Sequence, residues 1–195
     1  MEALWIVLGI VVLAVVAGIV SYNRFVTQKN LIRDAWANID TELRRRYDLI
    51  PNLVETVKGY ATQEREVLVQ VTEARARASQ VKVDASTVTD PQKFQEYQQA
   101  QNQLSGALGR LLVTVERYPE LKSNANFLAL QSQLEGTENR IAVARRDYIG
   151  TVREYNTELR TIPGRWIAAI FYPDAKPMET FAASSGADRP PPVKF

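Results

Sequence analysis

Glu135 and Glu138 stand three residues apart, a spacing that on a helix points both carboxylates the same way and could supply part of a metal site inside a helical bundle. Such sites are completed by a histidine from a Glu-x-x-His motif, and the chain contains no His. It contains no Cys either. That removes thiolate nucleophiles, Ser-His and Cys-His pairs, disulfides and the zinc ligand sets that depend on those residues. A hard-metal site made of carboxylates alone needs a loop with the right ligand spacing, and no loop shows one. Phosphate-binding glycine loops, dinucleotide fingerprints and nucleophile elbows are also absent from the sequence. The expected use of Glu135 and Glu138 is ion pairing with nearby arginines. No catalytic, cofactor or metal residues can be nominated, and a non-enzyme is expected.

Arg44, Arg45 and Arg46 form the sharpest charge cluster. On a helix they point about 100° apart, so they cannot close on one phosphate. Asp40–Arg44, Glu42–Arg46 and Glu73–Arg77 offer acid-before-base pairs at i, i+4, each contributing about 0.2–0.5 kcal/mol. The cluster reads as a solvated rim, with contact to anionic lipid or to a partner as the other use. Charged residues are 24% of the chain and the formal net charge is +2, so no field points to nucleic acid. Gln101 and Glu64 fall near apolar seams, where a polar residue more often fixes register than performs chemistry.

The elements that carry these residues are helices. The run that begins at Ala3 and closes at Val20 is apolar throughout, with Trp5 and Tyr22 near its ends. At about 1.5 Å per residue it covers most of a bilayer core of about 30 Å. A cleaved signal peptide would need a basic n-region and a small-residue cleavage site, and neither is present. Arg24, Lys29 and Arg33 follow the run and no Lys or Arg precedes it. The charge bias therefore predicts a short N-terminus outside and the remaining chain in the cytoplasm.

From Ile32 the apolar residues recur at three- and four-residue steps through Trp36, Ile39, Leu43, Tyr47, Ile50, Leu53 and Val57, then on to Ala78. That is the seam of a coiled coil or bundle helix. Pro51 interrupts it without breaking the phase, which predicts a kink rather than a reversal in one helix reaching about Val83. Asp90-Pro91 reads as the cap and first residue of a second helix ending near Tyr118. Gly106 and Gly109 within it suggest a close helix crossing, or surface tolerance. A third helix runs from about Asn124 to Thr161 and stops at Pro163-Gly164. The apolar piece Arg165-Trp166-Ile167-Ala168-Ala169-Ile170-Phe171-Tyr172 is expected to cap the bundle, with Trp166 and Phe171 as candidates for lipid or partner contact. An extended tail holding Ser184, Ser185, Gly186 and Pro190-Pro191-Pro192 closes the chain.

The fold class expected is therefore all-α: a transmembrane anchor (1–22), an up-and-down antiparallel bundle of three long helices (23–162), and a short C-terminal helix with an extended tail (163–195). On these lengths the second helix covers only the distal half of the first, and the third leads away from the membrane. The proximal seam, Ile32, Trp36, Ile39, Leu43 and Tyr47, is left uncovered and is expected to drive homo-oligomerisation.

Several stretches resemble the LemA family. The longest is Arg45-Arg46-Tyr47-Asp48-Leu49-Ile50-Pro51-Asn52-Leu53-Val54-Glu55-Thr56-Val57-Lys58-Gly59-Tyr60, with Trp36 and Ile39-Asp40 upstream. Glu116-Arg117-Tyr118-Pro119-Glu120-Leu121-Lys122, Glu138-Asn139-Arg140-Ile141-Ala142 and Arg145-Arg146-Asp147-Tyr148 are similar too. Ile149 departs from the pattern, where Asn follows the tyrosine in many members. The resemblance covers nearly the whole chain. It implies a bacterial protein with an N-terminal transmembrane helix, a short external N-terminus and a helical bundle, and by analogy a link to membrane organisation. The expected function is a non-catalytic, self-assembling structural or scaffold element at the inner membrane. The alternative is a monomeric adaptor or regulatory subunit of another membrane protein, such as a protease or stress-response system.

Overall fold

One helix, α1 (Glu2–Lys58), runs 57 residues without a break in the computed structural model, which describes residues 1–81, 84 and 86–181. Its first part is the apolar run. Leu4, Trp5, Leu13 and Val20 are each more than 60% exposed, and the helix is long and apolar enough to cross a membrane. From Ser21 onward one face turns inward, burying Phe25, Ile32, Ile39, Leu43, Ile50, Leu53 and Val57. The three-and-four spacing of those residues holds them in one stripe along the rod.

α1 continues through Pro51, with no reversal there, and ends at Lys58. The reversal lies in residues 59–64, where Gly59 caps the helix in an ordinary right-handed conformation and the small side chain of Ala61 is buried under the turn. α2 (Arg65–Gln80) then runs back beside the distal part of α1. The single kinked helix expected as far as Val83 is thus two antiparallel helices, and Val83 itself lies outside the described residues. The seam hid the turn because apolar residues recur across it at Val57, Tyr60, Leu68 and Val71, although the turn buries Ala61 and leaves Tyr60 exposed.

A 3-10 turn at Thr87–Thr89 leads to α3 (Pro91–Val115). Its cap is the one expected, with the Asp90 carboxylate accepting from the amides of Gln92 and Lys93. α4 (Pro119–Lys122) closes the distal end, where Asn124 Nδ2 donates to Tyr60 Oη at 2.8 Å. α5 (Ala125–Arg160) is capped by the Asn124 side chain and has 36 residues, giving it a length of about 54 Å. That matches the part of α1 beyond the anchor, and α5 packs along it down to Phe25 and Ser21. α5 therefore returns toward the anchor rather than away from it. The bundle has four legs (α1, α2, α3, α5), and the anchor is the lower extension of the first.

This topology covers the proximal seam within one copy. Ile32, Ile39 and Leu43 are buried, and Trp36 and Tyr47 are half-buried against the same core. The uncovered stripe expected for self-association does not exist in this fold. Residues 173–181 complete the cover. After α6 (Gly164–Phe171) the chain climbs back along α5, exchanging hydrogen bonds between Met178 and Asn156, and Phe181 enters a cluster with Trp36, Phe94, Tyr97 and Tyr148. Ser184 and the proline triplet lie outside the described residues. Gly106 and Gly109 do not mark a close crossing: a Cβ at Gly109 would meet nothing within 4 Å, and one at Gly106 would meet only the end of Arg110 at 3.9 Å.

Pro51 has a specific consequence. Lacking an N–H, it leaves the carbonyl of Tyr47 without its helical donor. Arg75 of α2 fills the gap, its Nε donating to that carbonyl at 2.7 Å. The proline thus creates an acceptor on α1 that docks α2. Arg75→Met is expected to cost about 1–2 kcal/mol by stranding the carbonyl. In a Pro51→Ala background the new amide takes the carbonyl back, so the same change should cost much less. A double-mutant cycle on the unfolding free energy reads the difference. Equal costs in the two backgrounds would show that the proline and Arg75 act independently.

Candidate functional site

The polar groups of the bundle gather in two places. The first is a buried node around Arg46, whose side chain is 0% exposed. Its guanidinium pairs with Glu138 of α5 at 3.0 Å, donates to Ser105 of α3 at 3.3 Å, and bonds closely to Gln101 of α3. Gln101 in turn donates to the Tyr47 hydroxyl at 2.6 Å, and that hydroxyl donates to the carbonyl of Ala78 in α2. One connected network therefore touches all four legs. This corrects two expectations. Arg46 belongs to the interior rather than to a lipid or partner surface, and its acid is Glu138, while Glu42 pairs with Arg140 at 2.9 Å. Sequence reasoning placed Tyr47 on the seam, yet the alternation 39-43-46-50-53-57 is more regular and falls on Arg46. That spacing was the available signal. Gln101 is buried in the role expected of it, and Glu64 is held by Tyr118 and Arg117 at the distal turn.

Nothing in the node is arranged as a nucleophile and base. The Arg46 cation has an acid and two neutral acceptors around it, an arrangement that fixes helix register. Of the two carboxylates expected to pair with arginines, Glu138 does so with Arg46, whereas Glu135 accepts from Gln131. Beside the node, burial pushes the Tyr97 hydroxyl well above its ordinary pKa and the Arg145 guanidinium below its own. Arg145 stacks on Phe181 at 5.0 Å, and neither its Nε nor the Tyr97 hydroxyl has a hydrogen-bond partner among the described residues.

Arg44 and Arg45 are exposed, and Arg44 pairs with Asp40 at 2.7 Å. They stand about 35 Å along α1 from the end of the apolar run. That is several Debye lengths at physiological salt, so an anionic bilayer at the run would not hold them.

The second place is the base of the bundle, where the anchor emerges. Ser21 donates to Glu158 at 3.1 Å, Arg24 pairs with the same carboxylate at 3.6 Å, and Glu158 is buried. Around this polar link lies an aromatic collar. Tyr172 stacks on Tyr22 at 5.6 Å and on Phe25 at 4.9 Å, and Lys29 sits 4.7 Å from the Tyr172 ring centre. α6 packs on α5 through Gly164, which sits against Glu158, and on α1 through half-buried Ile167, which lies beside Gly18; Gly164 and Ala168 are both buried. Its other face carries Trp166, 60% exposed, while Phe171, 57% exposed, lies at the edge beside Tyr22. The capping role expected of this piece holds for the inward face only.

The LemA family model matches residues 35–195. Magnetosome protein MamQ 2 of Paramagnetospirillum magneticum is 26% identical over 199 residues, covering 92% of this chain and 72% of the relative. Magnetosome protein MamQ of Magnetospirillum gryphiswaldense is 24% identical over 205 residues, covering 95% and 75%. Protein LemA of Metamycoplasma hominis is 23% identical over 139 residues, covering 71% of this chain and 59% of the relative.

Proposed function

The chain belongs to the LemA family, and on that premise we propose that it is a non-catalytic protein of the bacterial inner membrane that holds a closed helical bundle at the cytoplasmic face, where it serves membrane organisation. The observation that carries this reading is α1. One helix is at once an exposed apolar span and the first leg of a buried core, so the bundle is fixed to its anchor without a linker. Arg24, Lys29 and Arg33 closely follow the span, which supports a cytoplasmic bundle. The relatives named for the magnetosome support a role in membrane organisation.

Between a self-assembling scaffold and an adaptor complete in one copy, the burial of Ile32, Ile39 and Leu43 favours the adaptor. The residues that would have sealed a homo-oligomer are occupied by α5 and the 173–181 strap. Native mass measurement of the full chain in mild detergent at micromolar concentration is expected to give a monomer. A discrete oligomer would restore the scaffold reading.

A further inference from the structure

We propose that α6 is a bilayer-interface helix. Its outward face, Trp166 and Ile170, together with exposed Phe171 at the edge beside Tyr22 and Ile162 just before the helix, lies in the headgroup–acyl boundary of the leaflet from which α1 emerges. The inference rests on the reading of α1 as a membrane span.

Three observations carry it. The first is height. A Cβ placed on Gly18 would lie 3.7 Å from Ile167 Cδ1, and the rings of Tyr22 and Phe171 meet edge to face at 5.7 Å. α6 therefore touches α1 across the last turn of the apolar run, within about 6 Å of its end along the axis. The second is sidedness. Gly164 and Ala168 are buried against the bundle, whereas Ile162, Trp166, Ile170 and Phe171 are 64%, 60%, 70% and 57% exposed. Four large apolar side chains in ten residues make a patch that water would not stabilise, unlike the single exposed residues elsewhere on the bundle. The third is continuity. The patch adjoins α1 surface that lipid already covers in a spanning protein, so a protein partner there would have to displace lipid. Trp and Phe beside an exposed Arg165 suit an in-plane interfacial helix, apolar on one side and charged on the other.

With α1 as one attachment and α6 as a second, the bundle is held against tilt and rotation on the membrane. The chain has no cysteine, so single cysteines can carry a nitroxide label without background. The full chain would be labelled at Ile170→Cys, at Leu13→Cys within the span and at Val113→Cys on the distal bundle, all sites at least 70% exposed. It would then be reconstituted in phosphatidylcholine–phosphatidylglycerol vesicles. Power saturation with oxygen and with a water-soluble nickel chelate reads depth at each position. The label at 170 is expected to be relaxed more by oxygen than by nickel, with a contrast between those at 13 and 113. A label at 170 as nickel-accessible as that at 113, with 13 still in lipid, would overturn the interface assignment and leave the anchor standing. Shielding of 170 from both reagents would mean that protein covers the face and would equally overturn it. Nickel access at 13 would overturn the membrane reading itself.

Discussion

Glu138→Leu is expected to destabilise the bundle by about 2–4 kcal/mol, because it strands the Arg46 guanidinium in an interior it cannot leave. The value sits below the full cost of breaking a fully buried pair because Glu138 is itself 40% exposed, and water screens part of the interaction. Arg46→Met should cost less. It leaves a carboxylate that water can reach, and it replaces a confined cation by a flexible apolar side chain. The double variant should recover most of what Glu138→Leu loses, since the seam then reads apolar throughout. Denaturant unfolding of the full chain in detergent, followed by circular dichroism, gives all three values. A Glu138→Leu midpoint equal to wild type would mean that Arg46 has another exit and that the node does not hold the four legs in register.

Gly164→Ala carries the second large effect, and it is local. A Cβ on Gly164 would fall 2.3 Å from the backbone carbonyl of Glu158 and 2.8 Å from its carboxylate. Neither α6 nor the last turns of α5 can stay in place. Overpacking of this kind costs on the order of 1–3 kcal/mol, and the upper end applies because the obstructing atom is backbone. Movement of Glu158 also breaks its links to Ser21 and Arg24, so the base of the bundle should loosen before the distal half. Amide exchange is expected to accelerate in residues 155–172 while Leu104 and Leu111 stay protected. Wild-type exchange at the base would show that α6 has room the structure does not display.

The parts of this architecture that could be read in advance are those set by periodicity and capping. Asp90 caps its helix as its type suggests, α5 begins where expected at Asn124, and Ile32, Ile39 and Leu43 share one apolar stripe as their spacing suggests, because a cap or a stripe is decided within a few residues. The turn at 59–64 was not legible. Gly59 closes α1 in the ordinary helical region, so no left-handed signature marks it, and Tyr60 keeps apolar residues recurring across the gap. One long rod would send the third helix away from the anchor and leave the proximal seam bare, whereas two antiparallel legs send it back along that seam. Arg46 was missed for a different reason: a cluster of three arginines looks like surface. Only the spacing, or the long-range carboxylate at Glu138, separates Arg46 from the two before it. The strap at 173–181 has no periodic signal at all. Its place comes from tertiary contacts of Met178, Glu179 and Phe181.

The central claim is that a membrane span holds the bundle on the cytoplasmic side. Single cysteines at Glu2 and at Ala125, an exposed residue at the distal end, test it in whole cells. A membrane-impermeant maleimide added to spheroplasts is expected to modify the cysteine at 2, and to reach the cysteine at 125 only after the membrane is permeabilised. Modification at 125 in intact spheroplasts, with 2 protected, would contradict the account.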